Sequence, residues 1–314
     1  MPAQLTQLFT EPILMQAAKR IEQAPYTILP DEGPPSGGAC LDIAEFSPQQ
    51  ERIIAELQAY GQELVDMRYS TGFPRFTFSP AHGEVALGYN NGRHGATFAQ
   101  DAAALSEYLG LSRAHTFINQ LVGPWHDIVQ DTIVRQERRV GSDEIDSAAW
   151  FAKEVQQRHG LPQSVAALGV YGILGTWVVT DAQQNVYGQW ATLCQRFPSK
   201  DAELSAKVAA CADFGRLFAP EGPLLAHYLF GQRQGKTPQE VPDTSTLKTF
   251  HRDQLEFLLR HRYALKEASE LFGEHRSKIL NYSQKLIDQD ERGETLPWKE
   301  LLQQDITFMR SCNI

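Results

Sequence analysis

The chain has 314 residues and carries 29 Lys plus Arg against 38 Asp plus Glu, a formal net charge of −9. This acidic balance, without a Lys/Arg-rich block, argues against general nucleic-acid binding. No apolar run approaches the roughly 20 residues that a membrane span needs, and the first residues lack the pattern of a secretory signal. The 4 cysteines form no CxxC pair, which is typical of a reducing compartment. We therefore expect a cytoplasmic protein with no membrane partner.

Apolar spacing predicts helices along most of the chain. A first amphipathic helix is predicted over Leu5–Gln23, followed by a loop too rich in Gly and Pro to be regular. Ser47 and Pro48 then mark a helix start, as N-cap and first helical residue. Only Arg75–Phe78 alternates like a strand. The helices predicted after Ser47 are Pro48–Met67, His94–Leu109, Ser112–Val134, Ser142–His159, Gln163–Thr180, Lys200–Leu217, Pro220–Gly231, Leu247–Arg262, Lys266–Asp290 and Pro297–Arg310.

This pattern predicts an all-α helical bundle. We divide the chain into an N-terminal helical extension, residues 1–70, and a main domain, residues 71–314. The interpretation depends on the near absence of alternating apolar and polar residues, since that alternation is the signal of half-buried strands.

Four residues in the main domain could hold a metal ion. His126 and Asp127 are adjacent at the end of an apolar helix, His94 starts an earlier predicted helix, and Asp213 lies within a later one. Imidazole suits Mn, Fe, Co, Ni or Zn, whereas carboxylate suits Mg or Mn and can bridge two ions. Because buried charges in a bundle need partners, a common metal ion would explain all four residues.

These residues resemble the His…His-Asp…Asp signature of the HD-domain metal-dependent phosphohydrolases. The similarity is to a subgroup of predicted phosphohydrolases and covers roughly residues 85 to 285, so that residues 1 to 70 fall outside it. Its other motifs are Tyr89-Asn90-Asn91 before the first histidine, Asp143-Glu144 and Ser147-Ala148 after the His-Asp pair, Cys211-Ala212-Asp213-Phe214, and the C-terminal segments Gln254–Leu258 and Leu271–Asn281.

The resemblance implies a bundle of the HD-domain type and a metal-dependent phosphohydrolase or phosphodiesterase. A divalent ion (Mn, Mg, Fe, Co, Ni or Zn) would be held by His94, His126, Asp127 and Asp213, and would activate water against a small phosphate ester or a nucleotide. Many relatives carry a Thr followed by a His on a later helix. Here Gly175–Asp181 contains no His, which puts a two-metal mechanism in doubt.

Four further residues are candidates for chemistry, and three of them have an alternative interpretation. Glu144 could position water or accept a proton beside Asp127, or could simply stabilise the first turn of its helix. Arg93 could bind a substrate phosphate or be solvated. His227 could contact substrate. Asp131, one turn after Asp127, could orient His126 or lie in solvent.

Two other functions compete with hydrolysis. A non-catalytic HD-fold protein could sense a nucleotide or bind a partner with the same residues. The missing Thr–His pair slightly favours this non-catalytic function. A diiron oxidase of the helical-bundle type would need Glu-x-x-His motifs, and the sequence contains none. The phosphohydrolase is therefore our leading hypothesis, with the sensor as its alternative.

Overall fold

The computed structural model of the protein describes residues 43, 45–69, 75–77, 84–86, 92–130, 142–180, 186–193, 197–233 and 244–312. Within these residues the chain is an all-α helical bundle, as the sequence predicts, with twelve α-helices and two small antiparallel hairpins. The predicted helix Leu5–Gln23, Asp131 and Asp181 lie outside the described residues. Among the helices described, none is long and apolar enough to cross a membrane.

The first part of the bundle contains seven helices and both hairpins. In chain order these are α1 (Pro48–Tyr69), β1 (Arg75–Thr77), β2 (Glu84–Ala86), α2 (Gly92–Tyr108), α3 (Arg113–Trp125), α4 (Ser142–Lys153), α5 (Gln163–Gly175), β3 (Val178–Thr180), β4 (Val186–Gln189), α6 (Trp190–Leu193) and α7 (Lys200–Gly215). A π-helical turn, Glu154–Arg158, follows α4, and a 3-10 turn, Arg216–Phe218, follows α7.

The second part is five helices: α8 (Gly222–Arg233), α9 (Thr244–Arg260), α10 (Lys266–Phe272), α11 (Arg276–Glu291) and α12 (Trp298–Cys312). The main hydrophobic core lies in the first part, where Leu57 of α1, Leu105 of α2 and Trp125 of α3 are all buried. A smaller core joins α8, α9, α11 and α12 through buried side chains that include Phe230 and Trp298. Helix α1 thus packs into the same core as α2 and α3.

Two helix starts follow the local signals in the sequence. Helix α1 begins at Pro48, as predicted, with a capping box in which Gln50 N–H donates to Ser47 Oγ and Ser47 N–H donates to Gln50 Oε1. Helix α3 begins after Ser112, whose side chain accepts a hydrogen bond from the backbone N–H of His115. Each cap supplies partners for backbone groups that a first turn leaves unsatisfied.

Three predicted helices are wrong in extent. The helix predicted over Lys266–Asp290 is two helices, because α10 ends at Phe272, where Gly273 N–H donates to Ser269 O. The helix predicted to reach Thr180 ends at Gly175, and Val178–Thr180 pairs with β4 instead. Helix α3 ends at Trp125 rather than continuing to Val134. The β-branched residues of β3 explain the second difference, since they favour a pleated strand once a partner is present.

Candidate metal centre

The ends of three helices carry the four predicted metal ligands. His94 lies in the first turn of α2, and Asp213 lies in the last turn of α7. His126 is the C-cap residue of α3, with φ −64° and ψ −32°, and Asp127 follows it. Side chains at helix ends can point at one place while the helices themselves pack apolar residues. The structure uses this arrangement for all four ligands.

Two glycines let α2 and α3 approach closely beside the histidines. A Cβ on Gly123 would lie 2.6 Å from the carbonyl oxygen of Gly95, and a Cβ on Gly95 would lie 2.8 Å from Pro124 Cα. Only glycine fits such a contact between backbones. Since Gly95 follows His94 and Gly123 lies three residues before His126, this crossing brings the two imidazoles together.

The four side chains meet at one point. His94 Nε2 lies 3.1 Å from His126 Nε2, and Asp127 Oδ2 lies 3.4 Å and 3.1 Å from these two nitrogens. Asp213 Oδ1 lies 3.4 Å from His94 Nε2 and 3.6 Å from His126 Nε2. The ligand atoms of His94, His126 and Asp127 all lie within 4.8 Å of one another. Asp213 contacts both imidazoles but is not part of that mutually close group.

Further hydrogen bonds orient the ligands. His126 Nδ1 lies 2.5 Å from the carbonyl oxygen of Gly123, which accepts a hydrogen bond from Nδ1–H, so that Nε2 faces the other ligands. Gln130 donates to Asp127 Oδ1, and Gln189, at the end of β4, donates to Asp213 Oδ2 over 3.2 Å. The ring of His126 also stacks on Phe98, with 4.6 Å between centroids.

The charges of the four ligands depend on one another. Burial opposes a charge on His94 and His126, but the contacts with Asp127 and Asp213 outweigh it and raise the pKa of both imidazoles. Burial also opposes ionisation of the two carboxyl groups, but the imidazoles lower the pKa of Asp127 and Asp213. Protons on the rings therefore stabilise the carboxylates. A metal ion must displace such protons, so its affinity is expected to rise with pH.

Exposure differs between the two kinds of ligand. The side chains of His94 and His126 are 3% and 2% exposed, whereas those of Asp127 and Asp213 are each 13% exposed. The two imidazoles are therefore the more deeply buried ligands, and the two carboxylates are the more exposed ones.

The other predicted site residues lie in different places. Glu144 is half-buried in the first turn of α4. Arg93 lies in the first turn of α2, and its side chain is outside the described part of the structure. His227, predicted to contact substrate, lies in a separate buried cluster, where it contacts His251 and Asp305.

Sequence reasoning missed two residues beside the centre. Gln189 is 1% exposed and holds Asp213, although nothing in the pattern around it marks a functional amide. His261 stacks face to face on Phe214, 3.9 Å between centroids, and burial lowers its pKa to about 4. Its Nε2 has no hydrogen-bond partner among the described residues. A neutral imidazole thus packs on the residue that follows Asp213.

The sequence matches no family model, and comparisons with curated proteins and with solved structures find no match. The class that fold and geometry define is a helical bundle with a buried cluster of two histidines and two aspartates. The resemblance to HD-domain phosphohydrolases remains a prediction made from the sequence.

Proposed function

We propose that the protein is a metal-dependent phosphohydrolase or phosphodiesterase that acts on a small phosphate ester or a nucleotide. The observation that carries the proposal is the close approach of two imidazole nitrogens and two carboxylate oxygens from helices far apart in sequence. The two nitrogens lie 3.1 Å apart, and each nitrogen lies 3.1 to 3.6 Å from the carboxylate oxygens. Imidazole and carboxylate together are a ligand set for divalent transition metals.

Each ligand has a defined task in this proposal. His94 and His126 would donate their Nε2 lone pairs, and Asp127 and Asp213 would supply the negative charge that neutralises a divalent cation. A bound ion would polarise a phosphoryl oxygen and lower the pKa of a water molecule. Gln130 and Gln189 hold the outer oxygens of the carboxylates, which keeps the inner oxygens directed at the imidazoles.

Glu144 is our candidate for the residue that accepts a proton from the attacking water. Ser147 Oγ accepts a hydrogen bond from Val129 N–H, which ties the segment after Asp127 to helix α4. Glu144 lies three residues before Ser147 on that helix, and residues at this spacing share a helix face. The proposal therefore places the Glu144 carboxylate on the side of α4 that faces the segment carrying Asp127.

A small phosphate ester suits the surroundings of the centre. The chain has a formal net charge of −9, which disfavours a long polyanion. The two carboxylates of the centre are partly exposed, and a cation there would attract a phosphate group. We retain Arg93 as a candidate for phosphate binding and a cytoplasmic location as an expectation.

Metal removal tests the proposed function. Chelation followed by desalting should abolish hydrolysis of p-nitrophenyl phosphate, bis-p-nitrophenyl phosphate or a nucleotide panel. Addition of Mn²⁺, Mg²⁺, Fe²⁺, Co²⁺, Ni²⁺ or Zn²⁺ one at a time should restore it with at least one of them. The measurement is the hydrolysis rate together with elemental analysis of the protein before and after chelation.

Two outcomes would contradict this proposal. Hydrolysis that persists in protein shown to be metal-free would exclude the metal mechanism. A metal-loaded protein that binds nucleotides and returns them intact would favour the sensor function instead. Denatured protein extracts, analysed for released nucleotide by chromatography, distinguish that second outcome from simple inactivity.

Replacing Gln189 with leucine should weaken the centre without removing a ligand. Loss of the hydrogen bond to Asp213 Oδ2 frees that carboxylate to rotate, and loss of such an orienting group costs about 10–100-fold in metal affinity or activity. Competition titration with a coloured chelator measures the affinity. The control is Gln284→Leu, which removes an exposed glutamine that donates to Asp288. Equal metal affinity in the two variants would show that Gln189 does not position Asp213.

A further inference from the structure

A second pair of histidines lies buried in the smaller core, on helices α8 and α9. His227 Nε2 lies 3.1 Å from His251 Nε2, and the ring planes are nearly perpendicular, at 77°. The side chains of the two residues are only 3% and 4% exposed. Phe250 and Trp298 flank the His227 ring. Such an apolar setting makes any unpaired charge or lone pair costly.

Each imidazole ring contacts a carboxylate through its Nδ1 atom. His227 Nδ1 lies 2.6 Å from Asp305 Oδ2 on α12, and His251 Nδ1 lies 2.7 Å from Asp290 Oδ2 on α11. The second oxygens are also occupied, since Tyr282 OH donates to Asp305 Oδ1 and Thr295 Oγ1 donates to Asp290 Oδ1. A carboxylate oxygen beside Nδ1 favours the tautomer with a proton on Nδ1, because a carboxylate accepts hydrogen bonds.

The facing nitrogens therefore need a cation between them. With a proton on each Nδ1, neutral rings present two Nε2 lone pairs to each other at 3.1 Å, and this contact is repulsive. One proton between the nitrogens would satisfy the contact but would compensate only one of the two buried carboxylate charges. A divalent ion would compensate both, and buried charges are stable only when they are paired.

We propose that His227 and His251 form a second metal site, in which a divalent transition metal such as Zn²⁺ binds between the two Nε2 atoms. Bonds of about 2.0–2.1 Å in tetrahedral geometry separate two ligand nitrogens by about 3.3 Å, close to the spacing of this pair. A carboxylate that accepts a hydrogen bond from Nδ1–H is the usual support of a ligating histidine. This site is independent of the phosphohydrolase proposed above.

The role of this second site is structural. The ligands lie on α8 and α9, and their carboxylates lie on α11 and α12, so one ion would link four helices of the smaller core. Metal binding to such a site adds to folding stability. Two protein nitrogens are fewer than the four ligands of a closed structural site, and binding should therefore be weaker than at a four-ligand centre.

The test is the substitution His251→Asn, which removes the Nε2 ligand but retains an amide donor for Asp290. Metal-free protein is titrated with Zn²⁺ by calorimetry, and Tm is measured with and without Zn²⁺. We expect wild type to bind one more equivalent than His251→Asn, and Zn²⁺ to raise the Tm of the variant less. The matched control is His115→Asn, which changes a buried histidine that contacts Ser205 and should leave the stoichiometry unchanged.

A second measurement avoids any change to the smaller core. The variant Asp127→Asn damages the first centre and leaves His227 and His251 intact, so it should still bind one equivalent of Zn²⁺. Absence of binding in this variant would overturn the inference, as would equal stoichiometry in wild type and His251→Asn. In either case Zn²⁺ does not bind between the nitrogens. Because these readouts are stoichiometry and Tm, they stand whether or not the protein hydrolyses phosphate esters.

Discussion

Asp127→Asn is expected to lower metal affinity at the first centre by more than about 100-fold, and to lower metal-dependent hydrolysis with it. Loss of a group that only orients a ligand costs about 10–100-fold, and loss of a ligand should cost more. Asp127 Oδ2 lies within 3.4 Å of both imidazole nitrogens, and no other carboxylate in the described part of the chain belongs to the mutually close group. Asparagine has nearly the same shape but lacks the charge that neutralises the cation. Comparison of Asp127→Asn with wild type therefore tests the effect of the carboxylate charge with the shape of the side chain nearly unchanged.

Asp66→Asn is the matched control, because Asp66 is exposed on α1. Both variants are assayed for zinc and manganese affinity and for hydrolysis at saturating metal, with circular dichroism as a check of folding. His159→Ala, which changes a half-buried histidine after the π-helical turn, is a second control. Near-normal affinity and turnover in a folded Asp127→Asn variant would show that the assignment of this centre is wrong.

Trp125→Ala is expected to lower the free energy of unfolding by about 3–5 kcal/mol, as for other large aromatic side chains removed from a core. Trp125 is fully buried and its ring packs against Tyr60 and Phe151. Its indole N–H donates to Leu57 O across 3.1 Å. The side chain therefore links α1 and α4 to α3 immediately before His126.

Two further variants separate the contributions of Trp125. Trp125→Phe keeps much of the apolar volume and loses the hydrogen bond, which contributes about 0.5–1.5 kcal/mol on average. Trp150→Ala removes a tryptophan that is only half-buried on α4, and should cost less than Trp125→Ala. Urea unfolding measures all three. A Trp125→Ala variant within about 1 kcal/mol of wild type would contradict the role of this ring, because cavity formation alone should exceed that value.

Helix starts were predictable where one turn contains the whole signal. The capping box of Ser47 and Gln50, and the N-cap Ser112, act between residues three apart in sequence. Their hydrogen bonds form wherever the local chain is helical. The first turns of α1 and α3 could therefore be read from the sequence before any tertiary contact was known.

Helix ends and strands depended on partners elsewhere in the chain. Val178–Thr180 continues the apolar pattern of α5, but its backbone pairs with β4. The pattern from Lys266 to Asp290 contains one breaker, Gly273, and a single glycine inside a helical pattern does not by itself end a helix, but the structure ends α10 at Phe272, immediately before it. Periodicity describes which face is apolar, and it does not show where a neighbouring element stops a helix.

The identity of the candidate ligands came from the sequence, but their geometry did not. His94, His126, Asp127 and Asp213 were selected by residue type and order. Their meeting depends on the crossing of α2 and α3 at Gly95 and Gly123. Gln189, which orients Asp213, could not be selected, since a glutamine at the end of a short strand has no distinguishing pattern.

By itself the sequence determined the helical class, the starts of α1 and α3 and the residue types able to hold a cation, because these follow from local periodicity and chemistry. Tertiary structure alone decided which of the histidines pair. His227 and His251 were not connected by any pattern, and their hydrogen-bond partners lie 24, 39 and 78 residues away along the chain. Contacts at such separations arise from the packing of whole helices, and the spacing of side chains within one helix holds no information about them.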